Sequence, residues 1–259
     1  MSRPLILLGN DDGIAAPGVH RLIDFLVDSI DAEVVAVCPD SPQSGKSSAI
    51  TCDSPLYIDD CGSYRGAKLW SVSGTPVDCV KLALHEILAG REIDLFVSGI
   101  NHGSNSAASV IYSGTMGCAQ EAYLHGINAV GFSLLDHSLD ADFSGCRDTV
   151  TSVVANFFST MLPHKICVNV NIPAGCVPHG LKVVRAAQGY WREEYKKYLT
   201  PQGKPFYWLT GHFHNLEPDN TDTDEYWLSR GWATAVPIQV DRTDNGDRSF
   251  LDMVIGEFQ

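Results

Sequence analysis

Two neighbouring aspartates, Asp11 and Asp12, follow a short apolar run, and no lysine or arginine occurs between residues 9 and 17. Adjacent carboxylates that lose solvation repel each other, so they become protonated, pair with a positive charge or bind a metal ion. The pair therefore predicts a site for a divalent cation. The alternative interpretation is that Asp11-Asp12-Gly13 forms only a turn and caps the helix that Pro17 begins.

Two further polar stretches contain the same kind of donor atom. Gln43-Ser44-Gly45 follows a second apolar run, and Asn101 and His102 follow a third. Carboxylate, hydroxyl and amide oxygens suit Mg²⁺ or Mn²⁺ better than Zn²⁺. Together with the two aspartates, these residues predict a hard metal ion held by oxygen atoms.

Ser113-Gly114-Thr115 precedes a helical pattern that begins near Thr115. Hydroxyl groups and the free N–H groups of a helix N-terminus hold anionic oxygens, and Asn105 adds an amide donor. A metal ion beside such an anion site is typical of enzymes that act on phosphate groups. We expect attack of a metal-activated water on a phosphomonoester.

Proton transfer in that reaction needs a base and an acid. Asp12 is the candidate that orients or deprotonates the water, while Asp11 serves chiefly as a ligand. His102 directly follows Asn101 and is the candidate that protonates the leaving oxygen. The alternative for this histidine is a loop residue hydrogen-bonded to the backbone. The candidates that stabilise the phosphoryl oxygens are Asn105, Ser113 and Thr115.

Apolar runs and helical periodicity alternate through the first two thirds of the chain. This alternation predicts an α/β architecture with a mostly parallel sheet covered by helices on both faces. Such sheets bind ligands at the carboxyl ends of their strands, where the three polar stretches lie. The predicted strands cover residues 5–8, 33–38, 56–58, 68–72, 94–98, 127–134 and 166–172, and the predicted helices begin at Pro17, Thr75-Pro76, Thr115 and Val150.

Two local details accompany these elements. Thr75 is the expected N-cap of the second helix, in a capping box with Asp78. Cys61-Gly62-Ser63 is the expected turn between the strands at 56–58 and 68–72.

The composition changes near residue 185, where aromatic residues become dense among glycine, proline and charged residues. Apolar and polar residues alternate there, for example in residues 231–240, so we expect a β-rich extension with one or more hairpins. An isolated hairpin is only marginally stable, so exposed rings on it indicate a subunit interface. Packing of the rings on the parent domain is the open alternative.

The chain of 259 residues carries a formal net charge of −13, with a pI near 4.9. Duplex nucleic acids and anionic membranes require a basic face, so neither is an expected partner. No apolar run approaches the ~18–20 residues of a membrane span, and the first run ends in carboxylates rather than a signal-peptide cleavage site. Eight cysteines lie scattered without a C-x-x-C pair, which predicts buried hydrophobic residues in a reducing cytoplasm rather than a zinc ribbon.

Five motifs between residues 10 and 115 together resemble those of the SurE family of 5′/3′-nucleotidases. They are Asn10-Asp-Asp-Gly13 with Ala16-Pro-Gly18, the stretch from Pro39 to Gly45, Gly74-Thr-Pro-x-Asp-Cys-Val80, Ser98-Gly-Ile-Asn-His-Gly103 and Tyr112-Ser-Gly-Thr115. Residues 169–173, Tyr207-Trp208 and Thr223-Asp224 resemble the family more loosely. The resemblance implies a metal-dependent phosphomonoesterase, a 5′-nucleotidase, whose small-molecule substrates are nucleoside 5′-monophosphates and also 3′-monophosphates.

The resemblance also implies a Rossmann-like, three-layer α/β/α core. We expect a single SurE-like domain over residues 1–259, with its core in about 1–180 and the β-rich extension in about 185–259. That extension is implied to be an arm exchanged between the subunits of a homodimer or homotetramer.

Carried over to this sequence, the resemblance implies one divalent metal ion per subunit, Mg²⁺ or Mn²⁺. Its implied ligands are Asp11, Asp12, Ser44 and Asn101. The implied substrate and phosphate contacts are Asn10, Gly45, Asn105, Ser113, Gly114 and Thr115. The chain departs from the family at Pro42, where many members have asparagine, and proline cannot offer that amide to the substrate.

The residues themselves leave other classes of protein open. Enzymes that form an aspartyl-phosphate usually have Asp-x-Asp at this strand end, whereas residue 13 is glycine. A receiver-like signalling domain needs a phosphoacceptor aspartate late in a strand, and Asp94 begins its strand. A dinucleotide-binding module needs G-x-G-x-x-G, which residues 9–18 lack. A non-catalytic module that binds phosphate or nucleotide also remains an alternative.

Overall fold

The structure is a computed structural model that describes residues 3–138, 140–244, 246–247, 251 and 254–255. Its strands are β1 (Leu5–Gly9), β2 (Glu33–Pro39), β3 (Ile58–Tyr64), β4 (Ala67–Val72), β5 (Leu95–His102), β6 (Ala129–Leu134), β7 (Cys167–Ile172), β8 (Leu181–Val183), β9 (Gly189–Arg192), β10 (Tyr195–Leu199), β11 (Pro205–Leu209), β12 (His212–Asn215) and β13 (Ala233–Ile238). Its α-helices are α1 (Pro17–Ser29), α2 (Pro76–Leu82), α3 (Gly114–Leu124), α4 (Arg147–Ser159) and α5 (Asp224–Leu228). A π-helical turn (Ala83–Ile87) continues α2, and 3₁₀ turns cover Ala107–Ile111 and Ser144–Cys146.

A nine-stranded sheet forms the centre, in the order β3-β4-β2-β1-β5-β6-β7-β13-β8. The strands from β4 to β7 in this order run parallel, while β3 is antiparallel to β4 and β13 is antiparallel to β7. β1 is wholly buried, and its alternate residues face opposite sides of the sheet. Ile6 packs in one cluster with Leu22 of α1, and Leu7 packs in another with Val80 of α2. The predicted α/β core with a mostly parallel sheet is confirmed.

The two first helices begin as their sequences predict. Pro17 opens α1, and the helix buries the apolar side that includes Val19 and Leu26. Thr75 and Asp78 form the predicted capping box, in which the Asp78 N–H donates to Thr75 Oγ1 at 3.2 Å and the Thr75 N–H donates to Asp78 Oδ2 at 2.9 Å. Both helices are thereby fixed where they leave the carboxyl ends of their strands.

The prediction of a turn at Cys61-Gly62-Ser63 is wrong. Those residues lie within β3, where the register against β4 shifts between Asp60 and Ser63 in a bulge. The chain turns instead at Arg65 and Gly66, which have φ angles of 50° and 88°. Two successive positive φ angles match the twist of a tight hairpin, and glycine adopts one of them without a Cβ clash.

Strand β5 continues beyond Ser98, where the predicted strand ends, as far as His102. The register against β6 shifts between Ser98 and Asn101, after which Asn101 pairs with Ser133. Gly99 makes this path possible, because its φ is +114° and a Cβ there would lie 2.3 Å from the Phe132 carbonyl oxygen. Two of the predicted site residues are therefore held by the sheet rather than by a loop.

Residues 189–215 form an arm that is one long hairpin, in which β9 pairs with β12 near the base and β10 pairs with β11 near the tip. Its two ends meet, because the Leu216 N–H donates to the Gln188 carbonyl oxygen at 2.9 Å. The guanidinium of Arg185 also forms two 2.6 Å hydrogen bonds with the Glu217 carboxylate there. The chain then returns to the central sheet as β13, so this part of the expected extension belongs to the same sheet as the core.

Five of the eight cysteines are buried and all eight are free thiols. This burial agrees with the prediction that most of them serve as small hydrophobic residues. Within the part of the chain that the structure describes, no helix combines the length and the apolar character needed to cross a bilayer.

Candidate active site

Asn10 shapes the turn that carries the two aspartates out of β1. Its Oδ1 accepts the Gly13 N–H at 3.2 Å, and its Nδ2 donates to the Gly13 carbonyl oxygen at 3.1 Å. Both polar ends of this buried side chain are thus used within the turn. Asn10, an expected substrate contact, lies outside the lining of the adjoining cavity.

Asp11 is buried, with 5% of its surface exposed, and its carboxylate accepts a short hydrogen bond from the Thr115 hydroxyl. The start of α3 approaches it closely, since a Cβ on Gly114 would lie 2.7 Å from the Asp11 Cβ. Burial raises the pKa of Asp11 to about 6; the Thr115 hydrogen bond opposes this shift and the charge of Asp12 adds to it. A cation beside Asp11 would remove the cost of ionising it.

Asp12 contacts His102. Its Oδ2 accepts the backbone N–H of His102 at 3.3 Å and lies 3.3 Å from the ring Nδ1. The Phe143 ring packs edge-on against the imidazole, with 4.9 Å between the centroids. The carboxylate and the aromatic ring together fix the imidazole, which lines the cavity.

The loop after β2 is tied to the neighbouring segments by its backbone. The Gln43 N–H donates to the Asp11 carbonyl oxygen at 2.7 Å, and the Ser47 N–H donates to that of Tyr112 at 3.1 Å. Between these anchors, Ser44 and Gly45 are exposed and line the cavity. The expected second site loop therefore reaches the same cavity as Asp11.

Asn101 contributes an available oxygen. Its Nδ2 donates to the Gly103 carbonyl oxygen at 2.9 Å, and within the described residues Oδ1 has no hydrogen-bond partner, so it can accept or ligate. The candidate ligand set of Asp11, Asp12, Ser44 and Asn101 then consists of two carboxylates, a hydroxyl and an amide oxygen. Among the described residues, no group of three or more His, Cys, Asp or Glu forms a metal cluster. A set of two carboxylates and two neutral oxygens fits Mg²⁺ or Mn²⁺, which prefer oxygen ligands.

The start of α3 provides donors for an anion. Ser113 is its N-cap, with Oγ accepting the Met116 N–H at 3.0 Å, and Gly114 and Thr115 form its first turn. The helix is 11 residues long, and the early N–H groups of such a helix carry a partial positive charge. The predicted helix start near Thr115 is confirmed, with the N-cap two residues earlier.

Asn105 is held by a buried network that the sequence analysis missed. Its backbone N–H donates to Asn171 Oδ1 at 2.9 Å, and its Nδ2 donates to Ser133 Oγ at 2.8 Å. Asn169 Nδ2 donates to the Asn105 carbonyl oxygen at 2.8 Å. The available signal was the presence of polar residues within the apolar strands β6 and β7, since buried polar side chains need partners.

These groups surround one cavity of about 880 Å³. Of the expected site residues, those that line it are Asp11, Ser44, Gly45, Asn101, His102, Asn105 and Ser113. Asp12, Gly114 and Thr115 stand directly behind them, bonded to or adjoining His102, Asp11 and Ser113. The rest of the wall was not predicted from the sequence, and it includes His137, Glu225 and the arm residues Trp191, Tyr195 and Phe213.

Comparisons with known proteins agree with this arrangement. A family model described as Survival protein SurE matches residues 6–193. The 5′-nucleotidase SurE of Christiangramia forsetii is 48% identical over 246 residues, which cover 93% of each chain. The 5′-nucleotidase SurE of Flavobacterium psychrophilum is 47% identical over 246 residues, which cover 94% of each chain.

The fold has the same counterpart among solved structures. The crystal structure of the SurE protein from Aquifex aeolicus matches with a TM-score of 0.82 at 30% identity, and the match covers 98% of this chain and 100% of that one. Sequence, fold and the gathering of the motif residues around one cavity lead to the same assignment: the chain belongs to the SurE family.

Proposed function

We propose that this protein is a divalent-metal-dependent phosphomonoesterase that hydrolyses nucleoside 5′-monophosphates to nucleoside and phosphate, with 3′-monophosphates as further substrates. The observation that carries the proposal is the single cavity in which Asp11, Ser44 and Asn101 adjoin Ser113 at the start of α3. Oxygen donors for a cation thus stand beside N–H and hydroxyl donors for a phosphate. The names of the relatives, 5′-nucleotidase SurE, support the same activity.

Asp11, Asp12, Ser44 and Asn101 are the residues that we assign to one Mg²⁺ or Mn²⁺ ion. When bound, the ion supplies positive charge that lowers the pKa of a water and polarises a phosphoryl oxygen. The raised pKa of Asp11 supports this assignment, since burial disfavours its carboxylate where no cation neutralises it.

The other side chains of the site transfer protons and bind the phosphate. Asp12 orients the attacking water and accepts its proton, and His102 donates a proton to the leaving oxygen. The Asp12 carboxylate, 3.3 Å from Nδ1, holds the imidazole in place for this step. Asn105 and Ser113, with the N–H groups of the first turn of α3, bind the phosphoryl oxygens as negative charge develops on them.

The test is a panel of phosphomonoesters assayed with Mg²⁺, Mn²⁺, Zn²⁺ or Ca²⁺ and with a chelator. We expect release of phosphate from AMP and from p-nitrophenyl phosphate with Mg²⁺ or Mn²⁺, and loss of activity with EDTA. Binding of AMP without turnover would instead indicate a non-catalytic module. Phosphate release that EDTA leaves unchanged would contradict the metal assignment.

We further propose that residues 1–259 form a single domain that assembles through the arm as a homodimer or homotetramer. Side chains on the arm are exposed in the single chain, including Trp208 at 65% and Tyr207 at 60%. Aromatic side chains of this kind are enriched at subunit interfaces. The cytoplasmic location stays a prediction from the sequence.

A further inference from the structure

Glu225 is an acidic side chain in the wall of the active-site cavity to which the proposed chemistry gives no role. It lies in the first turn of α5 and lines the cavity together with Asp11 and Asn105. Its Oε1 accepts a short hydrogen bond from the Ser106 hydroxyl. Because Ser106 directly follows Asn105, this carboxyl stands beside the phosphate-binding end of the cavity.

A pair of hydrogen bonds from Asp224 fixes the position of Glu225. Asp224 Oδ2 accepts the Ala107 N–H at 2.8 Å, and its Oδ1 accepts the Ala187 N–H at 2.8 Å. These bonds tie α5 to the segment that carries Asn105 and Ser106. Glu225 therefore keeps a defined place relative to the phosphate donors.

The second oxygen of Glu225 is available to a ligand. Within the described part of the chain, the carboxylate has no partner other than Ser106 and forms no ion pair with lysine, arginine or histidine. Oε2 is not among the fully buried, unpartnered polar atoms of that part, and the Glu225 side chain lines the cavity. Burial raises the pKa of Glu225, the Ser106 hydrogen bond opposes the shift, and the charge of Asp224 adds to it.

The chemistry of a phosphomonoester decides what this oxygen can contact. A carboxylate repels the phosphate dianion, so it does not hold the phosphate itself. The group attached directly to the phosphate of a nucleotide is the sugar, whose hydroxyls are neutral hydrogen-bond donors. Carboxylates that accept hydrogen bonds from ribose hydroxyls are an established way of recognising a nucleoside.

We propose that Glu225 is a specificity-determining residue that accepts hydrogen bonds from the ribose hydroxyls of the substrate and so selects ribonucleotides over phosphomonoesters without a sugar diol. Ser106 orients the carboxyl for this contact. The inference rests on the proposed nucleotidase function and names the part of the substrate that the same site recognises.

The test compares kcat/KM for AMP, for 2′,3′-dideoxyadenosine monophosphate and for p-nitrophenyl phosphate, at one saturating Mn²⁺ concentration. We expect Glu225→Ala to lower kcat/KM for AMP by about tenfold or more, the usual loss for a hydrogen bond to a charged group. The variant should no longer prefer AMP over the dideoxy analogue. Its kcat/KM for p-nitrophenyl phosphate should stay within about twofold of the wild-type value. Glu225→Gln, which keeps an uncharged acceptor, should retain part of the preference.

Glu194→Gln is the matched control, because Glu194 is an exposed acidic residue that lines the same cavity. This variant should leave the ratio of kcat/KM for AMP to kcat/KM for the dideoxy analogue unchanged. An unchanged ratio in Glu225→Ala, or an equal loss on all three substrates, would overturn the inference. If the wild-type protein hydrolyses none of the three, the proposed function itself fails, so the two failures are distinguishable.

Discussion

Asp12 Oδ2 lies 3.3 Å from the imidazole Nδ1 of His102 and also accepts the backbone N–H of that residue at 3.3 Å. One carboxylate thus fixes both the ring and the end of strand β5 that carries it. The residues that we propose as proton acceptor and proton donor, Asp12 and His102, are in this way held together at the edge of the sheet.

Asp12→Asn should lower kcat at saturating Mn²⁺ by about a hundredfold or more, since the amide cannot accept the proton of the attacking water. Far-UV circular dichroism and the melting temperature should stay near the wild-type values, because the amide is of similar size. Asp53→Asn changes an exposed aspartate and serves as the control. Near-native turnover of Asp12→Asn would contradict the assigned role.

His102→Ala should affect substrates according to their leaving groups. Nucleoside alkoxides are poor leaving groups that need a proton, whereas p-nitrophenolate leaves as a stable anion. We therefore expect kcat to fall by about a hundredfold for AMP and much less for p-nitrophenyl phosphate. Equal losses on the two substrates would show that His102 is not the acid.

Asp11 should make the stability of the metal-free protein depend on pH. Its pKa is about 6 in the folded state against an ordinary value of 3.8, so the folded chain binds this proton more tightly than the unfolded chain. The free energy of unfolding should therefore be highest below pH 4. It should fall by on the order of 3 kcal/mol as the pH rises through 6.

Urea unfolding in EDTA between pH 4 and pH 7.5 measures this effect. Asp11→Asn lacks the titrating carboxyl, so the wild-type protein should lose stability relative to this variant across that window. Added Mn²⁺ should restore the stability of the wild-type protein at pH 7, because the metal binds the ionised carboxylate. Parallel curves for the two proteins would contradict the raised pKa.

Asn171→Ala should weaken the phosphate site from behind the cavity. The change leaves the Asn105 N–H without its partner, which costs about 1–3 kcal/mol of stability. It also loosens Asn105, so kcat/KM should fall on AMP and p-nitrophenyl phosphate alike. Asn156→Ala, an exposed change on α4, is the control and should alter neither quantity. If Asn171→Ala has the thermal unfolding and kinetics of the wild-type protein, Asn171 does not hold Asn105 in place.

Trp208→Glu should disrupt the assembly, because it introduces a charge among the exposed rings of the arm. We expect multi-angle light scattering to show a dimer or tetramer for the wild type and a smaller species for the variant. Tyr57→Glu changes a side chain of similar exposure, 64% against 65%, outside the arm and should leave the mass unchanged. A monomeric wild-type protein at micromolar concentration would refute the proposed interface.

Local sequence patterns predict the elements that carry the site. The buried run of β1, the apolar stripe of α1 and the capping box at Thr75 each depend on residues close together in the chain. The end of β5 could not be foreseen, because Gly99 and Asn101 look like loop residues when the partner strand is unknown. Only pairing with β6, which begins at Ala129, shows that the strand continues.

Contacts between distant residues account for what the sequence did not show at the site. Asn171 meets Asn105 across 66 positions, and Ser106 meets Glu225 across 119. Neither pair has a spacing that helical or strand periodicity can detect. The residues that we propose to act on substrate were predicted from their chemistry, whereas the residues that hold them in place required the three-dimensional arrangement.

The ion pair between Arg185 and Glu217 holds together the two ends of the segment 189–215, which therefore forms a closed side loop. Residues can be inserted or deleted at the tip of this loop, around residues 200–204, without displacing β13 or the segment that carries Glu225. The length of the arm is thereby independent of the positions of the cavity residues that the central sheet carries.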